Sequence, residues 1–348
     1  RKIDIMKIQY GMKAAPISIE QLNDRIKKFA MLGMRPVIEL HLLGETDIFN
    51  KNGLKICIEN CESIRPYQPG FIVHFPHQDI SGKIFDPFVD DDEPVLKALD
   101  FSNSIRATAI VMHRCCCLDK NLSFHEAEQL FNQRLKGWAD EARQRNLSIF
   151  VENNGFLWLP THFNKEYAVT ALDHFFPWEI RRFNAFLEAE GISNVFPVID
   201  TAHATLSINM LKLWYRFREF RGDKRFANIT MAEEKESPSL TIDDFIKETH
   251  SPYLHVSDSI LFGEEDKYSK NIDIYLMSEG LSLGRGNIDF DGIMNTVLDN
   301  KIDITLILEI DPIDGNQNNN LAQFEGIKTL KSIKERIIKG NQEECLVS

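Results

Sequence analysis

Eight short apolar runs recur along this chain: KIQYG (7–11), PVIEL (36–40), GFIVHF (70–75), ATAIVMH (107–113), SIFVEN (148–153), FPVID (196–200), YLHVSD (253–258) and ITLILEI (304–310). Their nearly continuous apolar character, without alternation, fits strands covered on both faces, as a parallel sheet requires. Amphipathic patterns lie between them. Ser18-Ile19-Glu20-Gln21 and Ser123-Phe124-His125-Glu126 have the form of capping boxes that open two of those helices. Polar residues close the runs at positions 39, 74, 113, 152, 200, 255 and 309, in steps of 35, 39, 39, 48, 55 and 54 residues. A repeated strand-then-helix order predicts an α/β fold, a (β/α)8 TIM barrel. The closing residues then face the C-terminal mouth, where such barrels carry their sites. The longer later steps predict insertions after strands 5 and 6, on that same face.

A chain of 348 residues is within reach of one such barrel with insertions. Residues 1–340 are therefore read as one domain and 341–348 as a disordered tail. Hydrophobic residues make up 43% and charged residues 26%, enough apolar material for a sizeable core. The net charge of −12 repels polyphosphate backbones, which argues against nucleic acid as partner. No apolar run is long enough to span a bilayer and the first residues lack a signal-peptide core, so the expectation is a cytoplasmic protein with no membrane association. The consecutive Cys115, Cys116 and Cys117 cannot readily pair with one another, and no CxxC spacing supports a structural zinc site. Reduced thiols in packing roles are expected.

Four runs end on a metal-ligand residue type: SIFVE at Glu152, FPVID at Asp200, YLHVSD at His255 and ITLILE at Glu309. Burying such groups unpaired is expensive, and a shared cation resolves the cost. Three carboxylates and one imidazole form a mixed oxygen and nitrogen set suited to Mn²⁺, Zn²⁺, Co²⁺ or Mg²⁺.

The pieces VHFPH (73–77), VMH (111–113), VENN (151–154), IDTAH (199–203), HVSD (255–258), LSLGRGNIDF (281–290) and LILE (306–309) occur in one order over almost the whole chain. In that order the chain resembles the xylose isomerase-like TIM barrel superfamily, which includes sugar phosphate isomerases and epimerases and endonuclease IV. The resemblance implies that Glu152, Asp200, His255 and Glu309 are central metal ligands, with Glu152 and Glu309 also the catalytic acid/base pair. It matches His203 to the histidine of the family's D-x-x-H pair, and His74 and His113 to two histidines that hold an additional zinc in the endonucleases. One or two divalent ions are thus implied. His77 is read as a neighbour outside the ligand set.

Two departures narrow the reading. Ser278, Glu279 and Gly280 stand where the endonucleases carry an Asp-x-His pair for a third zinc. His203 is then freed to bind substrate. Leu261 replaces an arginine that some ketose epimerases place after their His255 equivalent, so their particular substrate does not carry over. Asn153, Asp258, Arg285 and Trp158 complete the candidate substrate-binding residues. Asp258 has a rival reading as a helix cap, and the glycines around Arg285 a rival reading as a plain turn. The aromatic insertion holding Trp158 can wall a pocket, contact a second copy in a homo-oligomer, or form a local mini-core. The basic run of Lys212, Arg216, Arg218, Arg221, Lys224 and Arg225 is expected to face solvent, with a phosphate-bearing or acidic partner as the rival reading. The leading expectation is a metal-dependent isomerase or epimerase of carbohydrate metabolism, acting on a small sugar or polyol-like molecule. The alternatives are a dinuclear phosphodiester hydrolase and a polyol dehydratase.

Overall fold

The computed structural model describes residues 6–76, 91–114, 116–117, 123–154, 170–171, 175–218, 229–230, 233, 235, 239–263, 273–276 and 278–347. Eight parallel strands form the barrel: β1 (Ile8–Ala14), β2 (Val37–His41), β3 (Gly70–His74), β4 (Ala109–His113), β5 (Ser148–Glu152), β6 (Val195–Val198), β7 (Tyr253–Val256) and β8 (Ile304–Leu308). The order β6-β5-β4-β3-β2-β1-β8-β7 is a continuous parallel sheet. Its two ends meet at a parallel bridge between Asp200 and His255, with the His255 N–H donating to Ile199 O at 3.0 Å. Each strand lies within a few residues of an apolar run read from the sequence.

The outer ring consists of α1 (Ile19–Met31), α2 (Lys51–Ser63), α3 (Glu93–Ser104), α4 (Phe124–Gln144), α5 (Pro177–Ala189), then α7 (Ile242–Thr249), α8 (Phe290–Asn300) and α9 (Leu321–Val347), with the additional α6 (Thr201–Arg216) before α7. Ser123 and Glu126 form a reciprocal capping box on α4. Ser18 caps α1 through the Gln21 N–H, but Gln21 Oε1 accepts from Ala15 instead of closing the box. The last helix runs through Gly340 to Val347, and a single glycine costs a helix only about 1 kcal/mol.

Extra chain does follow strands 5 and 6. Thr170–Ala171, between β5 and α5, pairs antiparallel with Cys116–Cys117, between β4 and α4. After β6, α6 begins at once with Asp200 as its N-cap and packs on the segment after β7: Asn209 Nδ2 donates to Ile260 O and Tyr275 O, each at 2.7 Å. Lys212 Nζ and Arg216 Nη1 donate to Phe262 O and Gly263 O at 3.1 and 3.0 Å. These two cations cap loop carbonyls, Lys212 half-buried and Arg216 exposed, while Arg216 and Arg218 keep the expected solvated face. Arg221, Lys224 and Arg225 lie outside the described residues.

Inside the barrel, Val37, Ile72, Ala109, Val111, Phe150, Val198, Tyr253 and Ile307 make a closed apolar plug. Gly11 leaves room for it, since a Cβ there would stand 2.2 Å from Ile307 Cδ1. The larger core lies between strands and helices. Among the described residues no helix is long and apolar enough to cross a membrane, and Cys57 and Cys61 are free and buried.

Candidate functional site

Side chains two residues apart on a strand share a face. The candidate residues follow from that rule, each standing two positions beyond a member of the plug: Val37 then Glu39, Ile72 then His74, Val111 then His113, Phe150 then Glu152, Val198 then Asp200, Tyr253 then His255, Ile307 then Glu309. The plug forms a dry floor and the polar residues form a layer on it. Glu39, Glu152, Asp200 and His255 are at most 1% exposed.

Glu152 lies at the centre of this layer. Its Oε1 is 2.8 Å from His255 Nδ1 and 3.6 Å from His203 Nδ1. Its Oε2 is 3.2 Å from His74 Nε2 and 3.8 Å from His113 Nε2. Glu309 Oε2 approaches the same His255 Nδ1 at 2.9 Å. One potential ligand atom from each of Glu152, Asp200, His255 and Glu309 falls within 4.8 Å of all the others, and the same holds for His74, His113 and Glu152. The two groups share Glu152, one carboxylate oxygen facing each.

Burial pushes all these carboxyl groups upward, and the rings between them decide the outcome. His255 and His113, with hydrogen bonds from His255 and His74, hold Glu152 well below the ordinary carboxylate range. His255, Lys13 and His41 do the same for Glu309. Asp200 is pushed to about 6 by burial; the cations His203 and His255 oppose the rise, and Glu309 and Glu152 add to it. Burial alone would lower His255, but Glu152, Glu39 and Glu309 raise it well above the ordinary histidine value. So many anions around one imidazole fit a divalent cation, whose charge would take over the work of the His255 proton between Glu152 and Glu309.

The other candidates divide. His203 lies at the cluster, its Nδ1 2.9 Å from Asn153 O and its Nε2 3.4 Å from Glu279 Oε2. Asn153 Oδ1 accepts the Asp200 N–H at 2.8 Å, while its buried Nδ2 has no hydrogen-bond partner among the described residues. Asp258 meets backbone groups of its own loop and of the glycine loop. It is fully buried, and its oxygens accept backbone N–H groups from Ser259, Gly284, Gly286 and Ile288 at 2.8 to 3.3 Å. It anchors the glycine loop, and a Cβ at Gly286 would stand 2.0 Å from Ser259 O. Arg285 is exposed on that loop, and among the described residues no hydrogen bond or ion pair joins it to the cluster. Trp158, His77 and Cys115 lie outside the described residues.

Four residues join the site that the sequence reading left aside. Glu39 Oε2 is 2.7 Å from His255 Nε2 and accepts the Tyr253 hydroxyl proton. Its Oε1 is 2.6 Å from His41 Nε2, and that nitrogen is 3.7 Å from Glu309 Oε1. Lys13 bridges Asp311 at 2.9 Å and stands 4.0 Å from Glu309. The signal for Glu39 was present, since it closes β2 as Glu152 closes β5. His41 and Tyr253 lie two residues along from Glu39 and His255, on the same inward faces.

No family model matches the chain and no curated protein sequence matches it. Solved structures do. A D-tagatose 3-epimerase-like protein superposes with TM-score 0.57 at 14% identity, over 94% of this chain and 99% of its own. A xylose isomerase domain protein from Planctomyces limnophilus gives 0.56 at 10% identity, over 96% and 99%. The chain shares the (β/α)8 barrel fold of these structures. The IOLI protein with a bound zinc atom also superposes, with TM-score 0.50 at 13% identity over 96% of this chain and 99% of its own. Likeness at this identity establishes the barrel fold alone; the chemistry has to come from the side chains at the mouth.

Proposed function

We infer that this barrel is a metal-dependent isomerase or epimerase of a sugar or sugar phosphate, with Glu152 and Glu309 as its acid/base pair. The observation that carries the reading is the convergence of two glutamates, from the ends of β5 and β8, on one nitrogen of His255 at 2.8 and 2.9 Å. That nitrogen, with Asp200, completes an oxygen-rich set of the kind that holds Mn²⁺, Zn²⁺, Co²⁺ or Mg²⁺. Neighbours described as epimerase-like and as zinc-bound support the assignment. A cation held by Glu152, Asp200, His255 and Glu309 would polarise a substrate carbonyl and stabilise charge beside it.

The chain's own groups then divide the work. Both glutamates are ionised in their surroundings, so either can accept a proton from the carbon next to a carbonyl. Glu309 keeps 19% side-chain exposure and has Lys13 beside it, whereas Glu152 is closed in by four imidazoles. The pair thus offers one base at the open side and one at the floor, as removal from one face of a carbon and return to the other require. The partly exposed His203 is placed to bind a substrate oxygen. Buried, free Cys57 and Cys61 fit a cytoplasmic setting.

One observation favours a second reading. His74 and His113 gather on Glu152 Oε2 at 3.2 and 3.8 Å, so a second cation there would make Glu152 a bridge and the site that of a dinuclear hydrolase. The chain's net charge of −12 weighs against a nucleic-acid substrate for it. Incubation with a panel of ketoses in D₂O and Mn²⁺ or Co²⁺ separates the readings. The isomerase reading expects deuterium at a carbon next to the carbonyl of at least one sugar. No exchange with any sugar, together with cleavage of a generic phosphodiester, supports the hydrolase instead.

A further inference from the structure

The geometry points to Glu39 as the residue that orients His255 as a metal ligand, with Tyr253 and His41 holding Glu39 for that task. This rests on the proposed cation site at Glu152, Asp200, His255 and Glu309. Glu39 Oε2 already accepts from the Tyr253 hydroxyl and lies 2.7 Å from His255 Nε2, so the contact suits an N–H on Nε2 and turns the other nitrogen, Nδ1, toward Glu152 and Glu309. Carboxylate, imidazole and cation would lie in series, the arrangement by which an outer carboxylate fixes the tautomer and plane of a ligating histidine.

Glu39 is itself fixed. Its Oε2 also accepts from the Tyr253 hydroxyl, and its Oε1 takes His41 Nε2 at 2.6 Å. Tyr253 and His255 share the inward face of β7, and His41 shares that of β2 with Glu39. The His41 ring stacks on His74 with centroids 4.5 Å apart, so Glu39 cannot swing without disturbing a second candidate ligand. Glu39 and His255 are both fully buried. Glu39 meets the side of the ring opposite the Nδ1 cluster, which makes it a positioning residue and not a ligand of that cation.

Titration of the metal-free protein with Co²⁺, followed by competition with a chelator and by the d–d absorption of the bound ion, tests this. Glu39→Gln should bind Co²⁺ about 10- to 100-fold more weakly than wild type. Tyr253→Phe, which keeps the carboxylate and removes one donor to it, should lose less, and both should shift the absorption band. A purely structural role would lower thermal stability and leave the affinity and spectrum of folded protein unchanged. Wild-type affinity and spectrum in both variants overturn the proposal. If Glu39→Gln does not fold, Tyr253→Phe decides alone by the same criterion. A wild-type protein that binds no Co²⁺ removes the cation site itself, an outcome distinct from a normal site insensitive to Glu39.

Discussion

Glu309→Gln should slow proton exchange at the carbon next to a substrate carbonyl by about 10³-fold or more, the scale on which a positioned general base acts. The amide is nearly isosteric, so Lys13 at 4.0 Å and His41 at 3.7 Å keep a polar neighbour. What disappears is the negative charge, and with it both the proton acceptor and one anionic donor to the cation. Single-turnover exchange at saturating Mn²⁺ separates the two losses. If added metal restores the wild-type rate, Glu309 serves only as a ligand and the base lies elsewhere. If the rate stays low with the site filled, Glu309 moves the proton. A variant as active as wild type would remove Glu309 from the mechanism.

The second large effect is the dependence of metal affinity on pH. His255 is raised well above its ordinary value by Glu152, Glu39 and Glu309, against the effect of burial, so a cation arriving at neutral pH must displace its Nδ1 proton. Asp200, pushed to about 6 by burial, adds a second proton to be displaced in more acid solution. The logarithm of the affinity should therefore rise with a slope of about one per pH unit near neutrality and steepen to about two below pH ~6. The stability of the metal-free protein follows the same signs. Asp200 binds its proton more tightly folded than unfolded, so its contribution is complete below the ordinary Asp value and is lost as pH rises through about 6. Glu152 and Glu309 behave oppositely, contributing above the ordinary Glu value and losing that contribution as pH falls. Added cation should thus raise the melting temperature most on the alkaline side of pH 6. Isothermal titration with Mn²⁺ at several pH values measures the slope, and an affinity that does not change with pH would show that neither proton is displaced.

The barrel was legible because parallel strands covered on both faces leave unbroken apolar runs, and because each run closes on a polar residue at the mouth. Glu152, Asp200, His255, Glu309, His74 and His113 come together by that rule, and the resemblance supplied their roles. Glu39 obeys the same rule but has no place in the ligand pattern that the resemblance carries. Its partners Tyr253 and His41 carry no sequence signal of their own, and only the meeting of β2 and β7 inside the barrel brings them to it. Asp258 shows the opposite case. Its spacing after His255 pointed to the site or to a cap, whereas its partners are backbone N–H groups that include those of a glycine loop far along the chain, which no local pattern reveals. Arg216 is exposed as the sequence reading expects, but the loop carbonyls that accept from Lys212 and Arg216 are equally remote in sequence and leave no local signal.

The central claim is a divalent cation held by Glu152, Asp200, His255 and Glu309. Metal content per chain, determined by elemental analysis of protein purified under metal-replete conditions, tests it most directly, with Glu309→Gln and His113→Ala measured alongside. The expected result is one equivalent in the wild type, lost in Glu309→Gln and retained in His113→Ala. Two equivalents, with one lost in His113→Ala, would move the site to dinuclear chemistry. A wild-type protein that takes up no metal would contradict the account.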